Sequence, residues 1–181
     1  MAYHSVAEIL EAIDETRSRV QKKVEGLSPT QEQFRPTPDA WSIAEIIEHL
    51  SIIERQLSRL FAMMVKKAEA SGIETHAGQS FRPFSLDQFV ERSLKEKYTA
   101  PETVRPSGNV PVADSLAKMR SSRTLLHELR PKLESIDLSS MTYPHPAFGP
   151  LNLYQWLALI GMHEDRHLRQ IESAMSSPEF Q

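Results

Sequence analysis

Cysteine is absent from the 181 residues of the chain, and this absence removes three kinds of site at once. Disulfide bonds, cysteine nucleophiles and cysteine-ligated zinc are all excluded. Long apolar runs are also missing, because the most apolar stretch, residues 151–162, is too short and too mixed to cross a bilayer. Residues 1–14 lack the cationic and apolar regions of a secretory signal. We therefore expect a cytoplasmic protein with no membrane partner.

Positive charge is scarce as well. Lys and Arg number 21 against 24 Asp and Glu, which gives a formal net charge of −3, and the basic blocks are no longer than pairs such as Lys22-Lys23. Because binding to a phosphate backbone requires an extended basic surface, no nucleic-acid partner is predicted. With 40% hydrophobic and 25% charged residues the composition is that of a soluble globular protein, and the length suits a single domain over residues 1–181.

The distribution of proline predicts four helices. Twelve prolines leave four proline-free windows, at residues 1–28, 39–82, 112–130 and 151–177. Proline is excluded from helix interiors, and each window repeats apolar residues at the spacing of an amphipathic helix, whereas no window alternates as a strand would. Three windows begin with a pair of residues that can cap free backbone N–H groups: Ser5 with Glu8, Ser42 with Glu45, and Asn152 with Gln155.

The connections between the predicted helices differ in length. Residues 26–41 and 135–151 join helices one to two and three to four, whereas residues 70–111 separate helices two and three. An unstructured loop of that size is unusual, and Ser85 with Gln88 predicts a short helix inside it. A long crossover lets helices two and three run parallel. The predicted fold class is all-α, a four-helix bundle with a long crossover between helices two and three.

Two of the seven histidines, His163 and His167, lie four residues apart in the last predicted helix. This spacing puts both imidazoles on one helix face, close enough to share a cation. They also continue the apolar stripe of that helix, where a polar group needs a partner. Two buried histidines that are satisfied by hydrogen bonds are the alternative interpretation.

A third histidine, His49, borders the apolar face of the second predicted helix. It lies about 10 Å from the start of that helix at 1.5 Å per residue, and His167 lies about 13 Å from the end of the last helix. The two levels coincide if these helices are antiparallel. Three neutral imidazoles would then hold one metal ion and leave a coordination position open, as catalytic sites do.

Residues 163–167 also match the H-E-x-x-H pattern of zinc metalloproteases, in which the glutamate is the general base. The short remainder of the chain contains no third ligand of the zincin kind, so the protease interpretation is disfavoured. For His145, in a proline-rich loop before the last helix, a structural role is favoured over one facing the pocket. The other histidines without a paired spacing are weaker candidates: His4, His76 and His127.

Three segments together resemble one known family. They are residues 41–50 (WSIAEIIEHL), residues 145–149 (HPAFG) and residues 163–171 (HEDRHLRQI). Their combination resembles the DinB/YfiT-like superfamily from the first predicted helix to the last, with the crossover as the most variable part. The resemblance implies an up-down-down-up four-helix bundle that is frequently dimeric, here a homodimer. It also implies a divalent metal, nickel or zinc, with three protein ligands: His49, His163 and His167.

The resemblance implies a type of activity as well. Characterised relatives include S-transferases that use bacillithiol and an isomerase that uses mycothiol, and several others are called metal-dependent hydrolases. We therefore expect a metal-dependent enzyme that activates a low-molecular-weight thiol or water, for S-transfer to or hydrolysis of a small-molecule substrate. Three neutral ligands leave the +2 charge of the ion intact, and this charge lowers the pKa of a bound water or thiol. Since the chain has no cysteine, the thiol would be a cosubstrate.

Polar residues beside the predicted ligands have weaker assignments. Gln170 lies about one turn beyond His167, where it can support that ligand. Glu48 and Glu164 are each one residue from a ligand, about 100° around the helix, so they are expected on the flank of the site. For Glu164 a surface ion pair is the default interpretation, and a catalytic base is the alternative. Arg166 is expected to steer an anionic substrate or to pair with an acid across a dimer interface.

The rival hypothesis belongs to another functional class. It is a non-catalytic dimeric helical module with a structural or vestigial metal site. Four amphipathic helices offer apolar surface that suits association between bundle faces. A coordination position that external ligands can reach would argue against it.

Overall fold

The computed structural model describes residues 2–72, 81–95 and 99–181, and helices dominate this part of the chain. His76 lies outside the described residues. In chain order the elements are β1 (Ala2–Tyr3), α1 (Val6–Val24), α2 (Pro29–Glu32), α3 (Ile43–Ala70), β2 (Phe84–Ser85), α4 (Asp87–Lys95), a 3₁₀ helix (Glu102–Val104), α5 (Val112–Ser135), β3 (Thr142–His145), β4 (Gly149–Asn152) and α6 (Leu153–Met175). No helix among the described residues is long and apolar enough to cross a membrane.

The predicted capping pairs do begin helices. At the starts of α3 and α6 the capping box is complete, because the cap side chain accepts a backbone N–H bond and the residue three positions on accepts one in return. At α1, Ser5 accepts a bond from the Glu8 N–H at 3.1 Å, but the Glu8 carboxylate accepts its own bond from the N–H of His4. The local cap residues therefore determine where all three helices begin.

The third long helix extends beyond its proline-free window. That window closes at residue 130, yet α5 continues through Pro131 to Ser135. Leu133, in the last turn, is buried in the core. We attribute the continuation to this burial, since the apolar contact offsets the hydrogen bond that proline cannot donate.

The two halves of the core determine the directions of the long helices. At one end of the bundle the starts of α1 and α6 pack against the ends of α3 and α5. Buried residues of this half include Ile9, Leu153, Phe61 and Leu133. At the opposite end of the bundle the last turns of α1 and α6 pack against the first turns of α3 and α5. Buried residues of this half include Val24, Ile171, Ile43 and Val112. Helices α1 and α6 therefore run one way and α3 and α5 the other, which confirms the up-down-down-up topology. Each of α5 and α6 packs on both α1 and α3.

The crossover between α3 and α5 is structured where it is described. It contains α4, which confirms the predicted short helix, and β2, which pairs with β1 in the register Ala2 to Ser85 and Tyr3 to Phe84. The crossover ends against the first turns of α3, where the Glu48 carboxylate accepts bonds from the Ser107 N–H at 3.0 Å and the Gly108 N–H at 3.0 Å. The connection is thus attached both to the chain's first strand and to α3.

A β-hairpin precedes α6, although the sequence shows no strand-like alternation. Strands β3 and β4 pair antiparallel from Thr142 opposite Asn152 to His145 opposite Gly149. Each strand has only four residues and contains a proline, so no alternating pattern could develop in the sequence. The Trp156 indole N–H donates to the Tyr143 carbonyl at 2.9 Å and holds the hairpin on α6.

A buried network of ion pairs joins the four long helices. Arg17 of α1 contacts Glu54 of α3 and Glu164 of α6, and Arg123 of α5 contacts Glu54 at 2.8 Å, Glu164 at 3.3 Å and Asp14 of α1 at 2.7 Å. Glu54 and Glu164 are each only 2% exposed. Burial by itself lowers the pKa of Arg123. The attraction of the Glu54 and Glu164 carboxylates is larger than this effect, so the pKa of Arg123 is raised. The interpretation of Glu164 as a surface ion pair is therefore wrong.

The network predicts a large loss of stability when one acid is neutralised. Glu54→Gln leaves two buried guanidinium groups short of a counter-charge, and breaking a buried pair in this way costs about 3–5 kcal/mol. We expect a drop of that size in the free energy of unfolding, measured by urea titration with circular dichroism. The control is Glu134→Gln, which removes the exposed pair with Arg130 and should cost under about 0.5 kcal/mol. Similar losses in both variants would contradict the assignment.

Candidate metal centre

The antiparallel packing of α3 and α6 brings three histidine side chains to one point. His49 is on α3, and His163 and His167 are one turn apart on α6. One nitrogen from each ring lies within 4.8 Å of the other two. The Nε2 atom of His163 is 3.3 Å from Nε2 of His49 and 3.2 Å from Nε2 of His167. The positions of the histidines calculated along the two helices therefore predicted correctly that His49 lies beside His163 and His167.

Hydrogen bonds on the far side of two rings orient their Nε2 atoms. The Nδ1 atom of His49 lies 2.7 Å from the Val104 carbonyl, and Nδ1 of His167 lies 2.7 Å from Oε1 of Gln170. Since both partners are oxygen acceptors, each Nδ1 carries the proton and each Nε2 keeps its lone pair directed at the shared point. Gln170 thus supports His167 as its spacing predicts, while the partner of His49 comes from the crossover.

The separations of the nitrogen atoms suit a small divalent cation. Imidazole nitrogens bind zinc at 2.0–2.1 Å, so two nitrogens of one tetrahedral centre are about 3.3–3.4 Å apart. The observed separations of 3.2 and 3.3 Å lie close to this value. The Nε2 lone pairs of His49 and His167 are both directed at the point that Nε2 of His163 also reaches. The donor set therefore fits a metal held by three imidazoles.

Burial keeps the three rings neutral. It lowers the pKa of His49, lowers the pKa of His163 well below its ordinary value and lowers the pKa of His167 to about 3. The neighbouring imidazoles add to the effect at His163 and His167. Neutral imidazole is the form that binds metals, so the site needs no deprotonation step at neutral pH. No carboxylate joins the three histidines in the described cluster, so a bound ion would keep its full charge.

The two glutamates next to the ligands have other partners. Glu48 accepts bonds from the Ser107 N–H and hydroxyl at 3.0 and 2.8 Å, which confirms its place on the flank of the site. The Glu164 Oε1 atom accepts bonds from Arg17 and Arg123, and its Oε2 atom has no hydrogen-bond partner among the described residues. Its role as a catalytic base stays a prediction.

A cavity of about 1600 Å³ opens onto the three histidines. Aromatic rings form part of its wall, and the Trp41 ring lies 4.8 Å from that of His49 and 6.3 Å from that of His167. The connection between α2 and α3, the crossover and the β3–β4 hairpin contribute the rest of the wall beside α3 and α6. Arg166 also lines the cavity, so its expected action on an anionic substrate remains a prediction. Mostly apolar walls with a few polar groups are typical of sites for small molecules.

His145 has a place in the cavity wall that the sequence did not favour. It ends β3 and lines the same cavity as His163, although the sequence favours a structural role for it. Its ring stacks on Phe148 with centroids 4.5 Å apart and lies 4.9 Å from Trp156. Burial lowers the pKa of His145. The HPAFG segment draws attention to His145 in the sequence, but only the fold of the hairpin shows that this residue lies in the cavity wall.

His4 and His127 lie apart from the cluster. His127 is exposed on α5, and its Nε2 atom is 2.9 Å from the Asp14 carboxylate. His4 precedes α1, and its backbone N–H contacts the Glu8 carboxylate. Their ranking as weaker candidates is consistent with these positions.

The neutral state of the buried rings predicts how the metal-free protein responds to pH. Unfolded histidines bind a proton near pH 6.5, whereas folded His49 and His167 have lower pKa values, so the unfolded state binds more protons as the pH falls. The free energy of unfolding should therefore decrease from pH 7.5 to 5.5, by about 1.4 kcal/mol for His167, whose folded pKa of about 3 lies below this range, with a further decrease from His49. Urea unfolding of chelator-treated protein measures this. His167→Gln should show a shallower pH dependence, and an unchanged dependence would contradict the neutral assignment.

Known proteins share this architecture over most of the chain. Residues 12–171 match the model of the DinB superfamily. The uncharacterized protein YuaE of Bacillus subtilis (strain 168) is 29% identical over 161 residues, which are 88% of this chain and 92% of that protein. The four-helix bundle protein TT2238 superposes with a TM-score of 0.60 at 20% identity, covering 92% of this chain and 98% of its own.

A further solved structure has the same fold. YfiT from Bacillus subtilis, described as a probable metal-dependent hydrolase with an unusual four-helix bundle topology, superposes with a TM-score of 0.62 at 15% identity. The alignment covers 93% of this chain and 85% of YfiT. At these identities the two solved structures establish the fold, while the match of residues 12–171 to the family model establishes descent: the chain belongs to the DinB superfamily.

Proposed function

We propose that this protein is a metal-dependent enzyme in which His49, His163 and His167 hold one divalent ion, nickel or zinc. The observation that carries the proposal is the convergence of three inward-facing imidazole nitrogens at the wall of a cavity of about 1600 Å³. The description of YfiT as a probable metal-dependent hydrolase supports it. Three protein ligands leave at least one coordination position for a molecule from the cavity.

The residues around the centre favour activation of a nucleophile. A divalent ion with three neutral ligands lowers the pKa of a water or thiol that reaches it. Val104 and Gln170 hold two of the ligand rings in position, and outer partners of this kind sharpen both geometry and affinity. The Trp41 ring covers His49 and His167 on one side and reduces their contact with bulk water.

The size of the cavity favours a reaction between two small molecules. Sites for one drug-sized ligand enclose roughly 300–1000 Å³, and this cavity is larger. A low-molecular-weight thiol and its electrophilic acceptor could therefore occupy it together. Because the chain has no cysteine, such a thiol must enter as a cosubstrate. We propose S-transfer as the reaction, with hydrolysis of a small molecule as the alternative that uses the same site, and a homodimer as the working form.

Metal content is the first test of this proposal. Purified protein should contain about one divalent ion per chain by elemental analysis, since one three-histidine site is present among the described residues. His49→Ala and His163→Ala should lose the ion, and Gln170→Ala should bind it about 10–100-fold more weakly. The control is His127→Ala, which alters an exposed ring paired with Asp14 and should keep full metal content. Metal-free wild-type protein would contradict the proposal.

An open coordination position separates an enzyme from a structural metal site. Cobalt-substituted protein should change its visible spectrum when azide or imidazole is added, because a fourth position faces the cavity. A spectrum that does not respond would favour the non-catalytic dimeric module.

Turnover then separates the two reactions. Product formation from a thiol and an electrophile, lost in His163→Ala, supports S-transfer, whereas ester cleavage without any thiol supports hydrolysis. Full metal content with neither activity would contradict catalysis and leave only the site.

A further inference from the structure

The tautomer of His145 is determined by the turn after it. Its Nδ1 atom accepts hydrogen bonds from the backbone N–H groups of Ala147 at 3.0 Å and Phe148 at 3.3 Å. A nitrogen that accepts two hydrogen bonds carries no proton, so the proton of the neutral ring is on Nε2. The ring therefore has one polar group left, an N–H donor at Nε2.

The orientation of the ring is also restricted. Phe148 stacks on it with an interplanar angle of 18°, and Trp156 of α6 packs against it at a centroid distance of 4.9 Å. Gly149, the register partner of His145 on β4, has a φ of 77°, a value that favours glycine and lets the hairpin turn back tightly. The donor is thus preorganised, since its rotation and its tautomer are determined before a ligand arrives.

The position of His145 relative to the three histidines suits contact with a ligand. His145 packs on Trp156, and His163 lies seven residues after Trp156 on the same face of α6, about 10 Å further along the helix. Both histidines line the same cavity. A small molecule that reaches the metal centre can therefore extend to His145 across the aromatic wall.

From these contacts we infer that His145 is a substrate-binding residue, whose Nε2–H donates a hydrogen bond to a carbonyl or carboxylate oxygen of a largely apolar substrate. A neutral N–H donor selects a ligand that carries an acceptor, and the rings of Phe148 and Trp156 favour a flat apolar body beside that acceptor. The inference rests on the proposed function, because it takes the metal centre as the other end of the substrate.

Two substitutions separate the donor from the turn. His145→Asn can keep the turn, because the asparagine oxygen accepts backbone N–H bonds from residues two positions on, but it removes the donor at Nε2. His145→Gln has the opposite effect, because its amide nitrogen reaches the position of Nε2 while the acceptor at Nδ1 is lost. Binding should depend on the donor, whereas stability should depend on the acceptor.

The experiment uses the metal-containing protein, with azide added to fill the open coordination position, and two aromatic probes, benzoate and benzylamine, of which only benzoate carries an acceptor oxygen. By calorimetry, benzoate should bind the wild type and bind His145→Asn about 10–100-fold more weakly, as expected for a lost hydrogen bond to a charged group. His145→Gln should recover part of that affinity. Benzylamine should bind the wild type and His145→Asn equally.

Three further measurements distinguish a failure of the His145 inference from a failure of the proposed function. Nitrogen NMR of the zinc-loaded protein should show the His145 proton on Nε2, and benzoate should shift that resonance. Metal content and urea unfolding check that His145→Asn retains the centre and the fold. Loss of metal from the wild type would overturn the proposed function. Equal benzoate affinity in the wild type and a folded, metal-loaded His145→Asn, or no benzoate binding to either, would overturn the role of His145 alone.

Discussion

The parallel course of α3 and α5 is the constraint on which the rest of the structure depends. Because both helices point the same way, the chain must travel back along the bundle after α3, a helix of 28 residues and about 42 Å, before α5 can begin. The returning segment passes the first turns of α3, where Val104 contacts His49 and Ser107 contacts Glu48. The same topology makes α6 antiparallel to α3 and brings its later turns level with His49.

Two adjacent residues of α6, His163 and Glu164, have different partners. His163 lies against its neighbouring imidazoles, whereas Glu164, about 100° further around the helix, borders the same cavity but is buried and contacts Arg17 and Arg123. The two guanidinium groups compensate a carboxylate that would otherwise contribute negative charge near the centre. Burying such charges costs desolvation energy, and their contact with all four helices gives the packing a specific arrangement. The two arginines therefore compensate the buried carboxylate next to the candidate metal centre.

The β3–β4 hairpin gives the cavity a wall that the helices alone do not supply. Its turn directs two backbone N–H groups at Nδ1 of His145, and Phe148 and Trp156 hold the ring between them. Pro144 and Pro150 are paired with one another in the hairpin. Because neither residue can donate a backbone hydrogen bond, the paired strands remain short. A small rigid element next to a long helix can position polar groups better than a flexible loop of the same length.

Much of the fold was determined by properties of one segment at a time. Apolar periodicity, proline exclusion and cap residues such as Ser42 predict the long helices and their starts, and the spacing of His163 and His167 predicts that they share a face. What the sequence could not show was the set of contacts between distant segments. Glu164 was mistaken for a surface group, and the sequence did not favour the place that His145 has in the cavity wall. Helical periodicity describes which residues share a face, but only packing decides whether that face meets solvent, a cavity or two buried arginines.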